Sequence, residues 1–145
     1  MQVGTIDNVT GCSQPLGYGD YTGLVAEMAI GTTHPITVFS GQGYTNTRCA
    51  VWVDWNRDLD FTDVGETIAL TAVSSMGPYV GTLIPPVDAA LGPTRLRVRV
   101  ALNDTPPPCG ATTYGEVEDY TINVPGALPV GACCLSAVCE GPIAA

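Results

Sequence analysis

The amino-acid sequence predicts an all-β protein, an antiparallel β-sandwich of the jelly-roll type with about seven strands and an extended C-terminal arm. The chain of 145 residues contains 17 glycines and 12 prolines, which interrupt it at short intervals. Apolar residues nowhere keep the i, i+3, i+4, i+7 spacing of an amphipathic helix. The runs between the breaks are short and rich in valine, isoleucine, threonine and aromatic residues, which is typical of half-buried strands. Two half-apolar sheets bury such faces against each other.

These runs are the predicted strands, and in chain order they cover residues 24–30, 36–40, 49–55, 67–73, 79–84, 94–102 and 117–124. Charged and apolar residues alternate most clearly in the sixth run. Arg95, Arg97 and Arg99 fall on one face, and the residues between them are leucine or valine. Because successive side chains of a strand point to opposite faces, this run has a predicted core face and a predicted outer face.

We expect one domain, because the length is that of a single hydrophobic core. Residues 1–17 are predicted to form an N-terminal arm or a first edge strand, and residues 18–124 the sandwich. Residues 125–145 are predicted to form a tail or linker that contains proline and cysteine. The tail is apolar, and Glu140 is its only charged residue.

The charge balance excludes several classes of function. The chain has 14 acidic and 5 basic residues and a formal net charge of −9. A phosphate backbone would repel it, so nucleic acid is not an expected partner. The basic residues are all arginines, which excludes Schiff-base chemistry and other mechanisms that need lysine. No stretch approaches the ~20 apolar residues of a membrane span, so membrane insertion is not expected.

The cysteines predict disulfide bonds and an extracellular or cell-surface location, because their spacing is not that of a zinc ribbon or a redox pair. The six candidates are Cys12, Cys49, Cys109, Cys133, Cys134 and Cys139. Six thiols allow about 15 pairings, and Cys12 with Cys109 is taken as a first hypothesis because the two bracket the predicted sandwich. Asn8 and Asn103 each begin an Asn-x-Thr tripeptide and are candidate glycosylation sites.

The densest polar chemistry lies in Asp54–Glu66, directly after the third run. Oxygen-bearing side chains at alternate positions, followed by a glutamate, can surround a hard cation with about six to eight oxygens. The predicted cofactor is Ca²⁺, and the predicted ligands are Asp54, Asn56, Asp58, Asp60 and Glu66. Asp63 is interpreted as a turn former or as a residue that contacts the ligands without binding the ion itself. The alternative is a solvated hairpin in which Asp and Asn only form turns.

The last predicted strand opens with three carboxylates, in Gly115–Thr121. On a regular strand Glu116 and Glu118 share a face with Tyr120, so they need polar partners as they leave water. We therefore expect structural ion pairs between the arginine strand and these glutamates, with Arg95, Arg97, Arg99, Glu116 and Glu118 as the candidates. A glycosidase pair of Glu116 and Glu118 is not expected, because a neighbouring guanidinium lowers a carboxyl pKa that a general acid needs raised.

Trp52 has the strand parity opposite to that of Trp55, which is predicted to lie in the core. It is a candidate for stacking against a sugar ring, and Tyr44 and Tyr79 are further candidates. The alternative is a tryptophan covered by a loop or by a neighbouring subunit.

Three segments, taken in order, make the chain resemble the GEVED domain, a module of large secreted and cell-surface bacterial proteins. They are Tyr18–Thr22, Val51–Phe61 with Gly65–Glu66, and Cys109–Gly110 with Gly115–Thr121. The resemblance covers roughly residues 18 to 124 and implies a β-sandwich in an exported multidomain protein, usually without catalytic activity of its own. One departure is Leu59, which follows an aspartate where the family has glycine.

We expect a non-catalytic extracellular structural module that calcium stabilises and that self-associates into a homo-oligomer or a polymer, such as a surface filament. Either the tail 125–145 or residues 1–16 would leave its own sandwich and add to a sheet edge of the next copy. The alternative is a carbohydrate-binding module of a secreted enzyme or adhesin.

Overall fold

The computed structural model describes residues 1–11, 17–41, 44–111 and 114–126, together with the backbone of residues 133–135 and 138–140. The secondary structure of these residues is entirely β, which confirms the predicted fold class. The described residues accordingly include no helix with the length and hydropathy needed to cross a membrane.

Ten strands form two sheets of five strands each. The first sheet contains β1 (Gln2–Val3), β2 (Ile6–Asp7), β4 (His34–Val38), β7 (Leu70–Ala72) and β8 (Tyr79–Leu83), in the order β2-β1-β4-β8-β7. The second sheet contains β3 (Tyr18–Glu27), β5 (Thr47–Val53), β6 (Thr67–Ile68), β9 (Gly92–Leu102) and β10 (Gly115–Val124), in the order β3-β10-β9-β5-β6. A separate hairpin consists of β11 (Cys133–Leu135) and β12 (Val138–Glu140).

The strand count differs from the prediction of about seven because four of the strands are only two or three residues long. The predicted strand 67–73 is in fact two strands, β6 and β7, which pair with different sheets. The chain therefore passes from one sheet to the other at Ala69 and closes one side of the sandwich. The first predicted strand, 24–30, overlaps only the end of β3.

The pairing of β3 with β10 is parallel, with a register shift between Asp119 and Thr121. The other strand pairs of the two sheets, among the described residues, are antiparallel, including β9 with β10 and β9 with β5. The prediction of an antiparallel sandwich is thus corrected at the β3 edge.

The hydrophobic core lies between the two sheets. Ile36 and Leu83 from the first sheet meet Leu96, Tyr120 and Ile122 from the second, and all five side chains are fully buried. Burying an aliphatic or aromatic side chain of this size contributes about 1.5–3 kcal/mol. This face-to-face burial is what holds the sheets together.

The N-terminal residues belong to this core. Met1, Val3 and Ile6 are buried, and β1 pairs with β4 in an antiparallel manner. Residues 1–7 therefore form the β1–β2 side of the first sheet, with β2 at its edge, and not an arm that leaves the sandwich. Residues 12–16 lie outside the described residues.

The loops gather at two ends of the sandwich. The acidic end contains loops 28–33, 54–66 and 84–91, which are joined by hydrogen bonds such as Ala90 N to Trp55 O at 2.7 Å. The opposite end, here called the proline end, contains the described residues 44–46, 102–111 and 114. There Asn103 N donates to Asn46 O at 2.8 Å.

Candidate functional site

The acidic loop, Asp54–Glu66, joins β5 to β6. A hydrogen bond of 2.9 Å from Val53 N to Glu66 O closes its base. Asp54 N donates to Arg95 O of the neighbouring strand β9 at 3.1 Å. The loop is therefore anchored to the second sheet at both ends.

Three side chains cap backbone amides two residues further along the loop. Asp58 N donates to Asn56 Oδ1 at 3.0 Å, and Asp60 N donates to Asp58 Oδ1 at 3.1 Å. Asp60 Oδ1 accepts from Thr62 N at 2.8 Å. These successive Asx turns coil the loop. They bring one oxygen each of Asp58, Asp60 and Asp63 within 4.8 Å of one another.

The Asn56 amide connects two members of this group. Its Nδ2 donates to Asp58 Oδ2 at 3.0 Å and to Asp63 Oδ2 at 2.7 Å. The hydrogen bonds from Asp60 N and from Asn56 hold the pKa of Asp58 below its ordinary value. A carboxylate that accepts such bonds stays ionised and available to a cation.

Asp54 lies behind the exposed group and is only 3% exposed. Its Oδ2 accepts from Leu59 N at 3.2 Å, whereas its Oδ1 is buried without a hydrogen-bond partner. A buried carboxylate oxygen without a donor is costly unless a cation or another donor satisfies it. This oxygen is the atom of the loop that a cation could most directly satisfy.

Glu66 is buried and binds the backbone of its own loop. Its Oε1 accepts from Trp55 N at 3.0 Å, and its Oε2 accepts from Asp63 N at 3.3 Å. Burial raises the pKa of Glu66, and the charge of Asp54 adds to this effect, whereas the backbone hydrogen bonds act in the opposite direction. Glu66 thus braces the loop from below.

The grouping differs from the predicted ligand set. Asp58 and Asp60 converge, but the third member of the group is Asp63, which the sequence analysis treated as a turn former. Asp54 and Glu66 lie deeper, at the base of the loop. The i, i+2, i+5 spacing of the three exposed aspartates is the sequence signal that could have identified the group.

The loop contains residues in the left-handed backbone region. Leu59 has φ 76° and Gly65 has φ 93°. Leu59, the residue that replaces the family's glycine, is 92% exposed. It therefore adopts the glycine conformation without gaining packing contacts.

The arginine strand forms its ion pairs with Asp119 and not with Glu118. Arg97 Nε donates to Asp119 Oδ1 and Arg97 Nη2 to Oδ2, both at 2.7 Å, and Arg95 Nη1 donates to Oδ2 at 2.7 Å. Tyr18 OH adds a fourth bond at 3.0 Å. The expected pair with Glu118 does not form, because Glu118 faces the core with Tyr120, whereas the arginines lie on the outer face.

Asp119 is fully buried beneath these partners. Burial raises the pKa of Asp119, but the hydrogen bonds and charges of Arg97 and Arg95, with the Tyr18 hydroxyl, outweigh it and hold the pKa below its ordinary value. The hydrogen bond to Asp119 raises the pKa of Arg97 although burial opposes this. The network is a structural clamp on the outer face of the second sheet.

Arg99 does not use a carboxylate. Its Nη1 donates to Pro107 O at 2.5 Å and its Nη2 to Gly110 O at 2.8 Å. Its side chain is buried, and Nε has no hydrogen-bond partner. Burial, and secondarily the charge of Arg97, lowers the pKa of Arg99. This guanidinium holds loop 103–111 against the sheet.

Glu118 is part of a buried polar network. Thr10 Oγ1 donates to its Oε1 at 2.6 Å, and Tyr120 OH donates to its Oε2 at 2.7 Å. Asn8 Nδ2 donates to Tyr120 OH at 3.0 Å. The Asn8 amide, a candidate glycosylation site, is thus half-buried and engaged, whereas Asn103 is exposed. Glu116 lies half-buried at the start of β10.

Trp52 is 4% exposed and lies against Phe61, with ring centroids 6.4 Å apart. The acidic loop covers Trp52 through Phe61, which agrees with the alternative of a tryptophan beneath a loop and leaves no free face for a sugar. Tyr79 is also buried and bonds Thr47 Oγ1 at 2.7 Å. Tyr44 is exposed.

The structure gives Cys49 and Cys109 as free thiols. Burial raises the pKa of the Cys49 thiol to about 12, and the charge of Glu118 adds to this. Cys109 is exposed, and its hypothesised pairing with Cys12 involves a residue outside the described part of the chain. Cys12 lies outside the described residues, as do the side chains of Cys133, Cys134 and Cys139.

The model of the GEVED domain family matches residues 48–123, just over half of the chain. This match contains the acidic loop, the arginine strand and Asp119, whereas Tyr18–Thr22 lies outside it. No curated protein and no solved structure matches the chain.

Proposed function

Because the chain belongs to the GEVED domain family, we propose that it is a non-catalytic structural module of a secreted or cell-surface protein and that a calcium ion in the acidic loop stabilises it. The observation that carries this proposal is the buried, unpartnered Oδ1 of Asp54 in the loop where three other carboxylates converge. A module stabilised in this way would depend on extracellular calcium for its rigidity.

The donor set fits calcium better than a transition metal. The converging group consists of Asp58, Asp60 and Asp63, whose carboxylate oxygens are the ligands that hard cations prefer, and no described histidine or cysteine belongs to it. Asp54 is not one of the three, and we propose that its unpartnered Oδ1 supplies a further oxygen from the buried base of the loop. Asn56 and Glu66 would orient the ligands through the hydrogen bonds described above. A divalent ion would also cancel the mutual repulsion of the carboxylates.

The structural role is supported by the state of two neighbouring carboxyl groups of β10, Glu118 from the glycosidase pair considered above and Asp119. Both oxygens of Glu118 accept hydrogen bonds from Thr10 and Tyr120, and the residue is buried. Asp119 is held by two guanidinium groups, which keep its carboxyl ionised. Neither carboxyl is placed to donate a proton to a substrate.

Thermal unfolding with calcium and with a chelator tests the proposal. An ion at about 100 times its Kd stabilises the folded state by about 2.7 kcal/mol, which corresponds to a rise in Tm of about 5–10 °C for a chain of this size. We expect the double substitution Asp58→Asn with Asp60→Asn to remove this rise. Asp104→Asn, at the proline end, is the control and should keep it. Equal melting of the wild-type chain in calcium and in chelator would exclude the ion.

Self-association is the second part of the proposal. β3 is an edge strand of ten residues, and its second side pairs with no strand in the described part of the chain, although Thr5 Oγ1 donates to Val25 O at 3.1 Å. Leu24 and Val25 on this strand are exposed. An edge of this length can accept a strand from another copy. Residues 125–145 are the candidate donor segment, since the N-terminal strands are occupied in their own sandwich.

Light scattering with size-exclusion chromatography tests this part. The full chain is expected to form oligomers, and a chain ending at Gly126 is expected to be monomeric with an unchanged Tm. A second variant, Val25→Asp, changes the acceptor edge itself and should also give a monomer. An oligomer of the same size after removal of residues 127–145 would show that the tail is not the donor.

A further inference from the structure

The proline end contains a cavity of about 430 Å³ that none of the features above uses. It lies on the opposite end of β9 from the acidic loop. Its lining is part aromatic, part proline and part polar, with Tyr114, Pro106, Pro107, Asn103, Asp104 and Thr105 as the residues that matter here. The volume is within the range of about 300–1,000 Å³ in which small-molecule sites fall.

We propose that this cavity binds a neutral glycan, with the ring of Tyr114 stacked on a sugar and the polar side chains of residues 103–105 bonded to its hydroxyls. The Tyr114 side chain is 69% exposed, so its ring is free to cover a ligand. A sugar presents an apolar C–H face and a rim of hydroxyls, which matches an aromatic ring beside amide, carboxylate and hydroxyl groups.

The wall of the cavity is held in place from below. Arg99 is buried and donates to Pro107 O and Gly110 O, and Arg97 Nη1 donates to Pro108 O at 3.1 Å. Because proline fixes its own φ, the run Pro106–Pro108 adds stiffness. A wall that is already ordered loses little entropy on binding, which favours recognition of a flexible ligand.

The floor is fixed by backbone hydrogen bonds. Leu102 N donates to Tyr114 O at 3.1 Å, and Asp104 N donates to Leu102 O at 2.9 Å. Asn103 has φ 70°, which turns the chain sharply at the end of β9. The three polar residues and Tyr114 are thereby brought to one side of the strand end.

The charge of the lining selects the class of ligand. Asp104 is the one charged residue among the described residues that line the cavity, and no arginine or histidine is among them. With a net charge of −9 the chain would repel an acidic polysaccharide. A neutral, hydroxyl-rich ligand therefore fits better than an anionic one.

Calorimetric titration of the unglycosylated full chain tests the proposal with four neutral probes: cellohexaose, xylohexaose, mannohexaose and chitohexaose. Saturable binding of at least one is expected. Tyr114→Ala should weaken that binding about tenfold or more, Tyr114→Phe should keep it, and Asp104→Ala should weaken it. Each variant is first shown to melt like the wild-type chain.

Phe39→Ala is the matched control, since Phe39 is an exposed aromatic residue that lines a different cavity at the same end of the sandwich. Its binding should equal that of the wild-type chain.

Absence of saturable binding with all four probes would overturn the proposal, and so would equal binding by Tyr114→Ala. Binding of a proline-rich peptide in place of all four glycans would assign the cavity to a protein partner. The calcium experiment tests a site at the other end of the sandwich, so the calcium proposal and the glycan proposal can each fail without the other.

Discussion

Asp119 shows how one carboxylate can organise the outer face of a sheet. It is fully buried, and a buried carboxylate is stable only if its oxygens are well satisfied. Two guanidinium groups from β9 and the hydroxyl of Tyr18 from β3 satisfy it. The residue therefore links three adjacent strands of the second sheet.

Asp119→Asn is expected to lower the free energy of unfolding by about 3 kcal/mol, because it leaves Arg97 without its counterion. The charged and titratable neighbours of Asp119 are Arg95, Arg97, Tyr18 and, across the parallel pair, Asp20. Since the folded pKa is lowered, the contribution of Asp119 is complete above the unfolded pKa of about 3.9 and is lost as the pH falls through the folded pKa.

Urea denaturation at a series of acidic pH values measures both effects. The Asp119→Asn variant should lack the part of the acid-dependent loss of stability that Asp119 causes. Asp88→Asn is the control, because Asp88 is exposed in loop 84–91 and is not among the neighbours of Asp119. A variant with wild-type stability and wild-type pH dependence would contradict the structural role given to Asp119.

That Asp119 is the partner of the β9 arginines could have been predicted from strand parity alone. Asp119 alternates with Tyr120 and so falls on the outer face, as do the arginines of the neighbouring antiparallel strand. The sequence analysis chose carboxylates of the opposite parity, Glu116 and Glu118. The contribution of Tyr18 could not be predicted, because it depends on the parallel pairing of β3 with β10, for which the sequence has no local signal.

At the scale of elements, the place of the acidic loop was predicted, and its alternating oxygens were interpreted as ligands of a cation, which stays a prediction. The structure uses several of these oxygens in Asx turns, as the alternative of a hairpin of turn formers anticipated. The inward turn of Glu66 depends on two backbone amides, Trp55 N and Asp63 N, that become available only once the loop is closed. Such long-range closure is not encoded in residue spacing.

Leu59→Gly is expected to stabilise the protein by up to about 1 kcal/mol. A side chain at φ 76° carries a steric cost of about 1–2 kcal/mol, and the greater freedom of glycine in the unfolded chain offsets part of the gain. Leu59 is almost fully exposed, so no packing is lost. Urea denaturation measures the change. Leu59→Ala keeps the steric cost and should leave the stability unchanged, and an equal gain with alanine would show that backbone strain is not the cause.

At the scale of the whole molecule, the sandwich was predicted because two half-apolar sheets need each other, and that argument does not require every strand to be recognised. The four shortest strands were missed, since two or three residues show no period. The change of sheet between β6 and β7 was missed for the same reason. Nevertheless β1, β2 and β7 complete the first sheet, and β6 forms one edge of the second.

A chain that begins at Asn8 tests whether the N-terminal strands are part of the fold or a detachable arm. The deletion removes Met1, Val3 and Ile6 from the core, each of which contributes about 1.5–3 kcal/mol. Their sum is comparable to the total stability of a domain, about 5–15 kcal/mol. We therefore expect the shortened chain to lose its near-ultraviolet circular dichroism and its cooperative melting. Ile6→Ala should show an intermediate loss of about 2–5 kcal/mol, and Val9→Ala, at an exposed position, should show none. Cooperative melting of the shortened chain at the wild-type temperature would mean that these strands can leave the sandwich, and would return residues 1–7 to the role of an exchangeable arm.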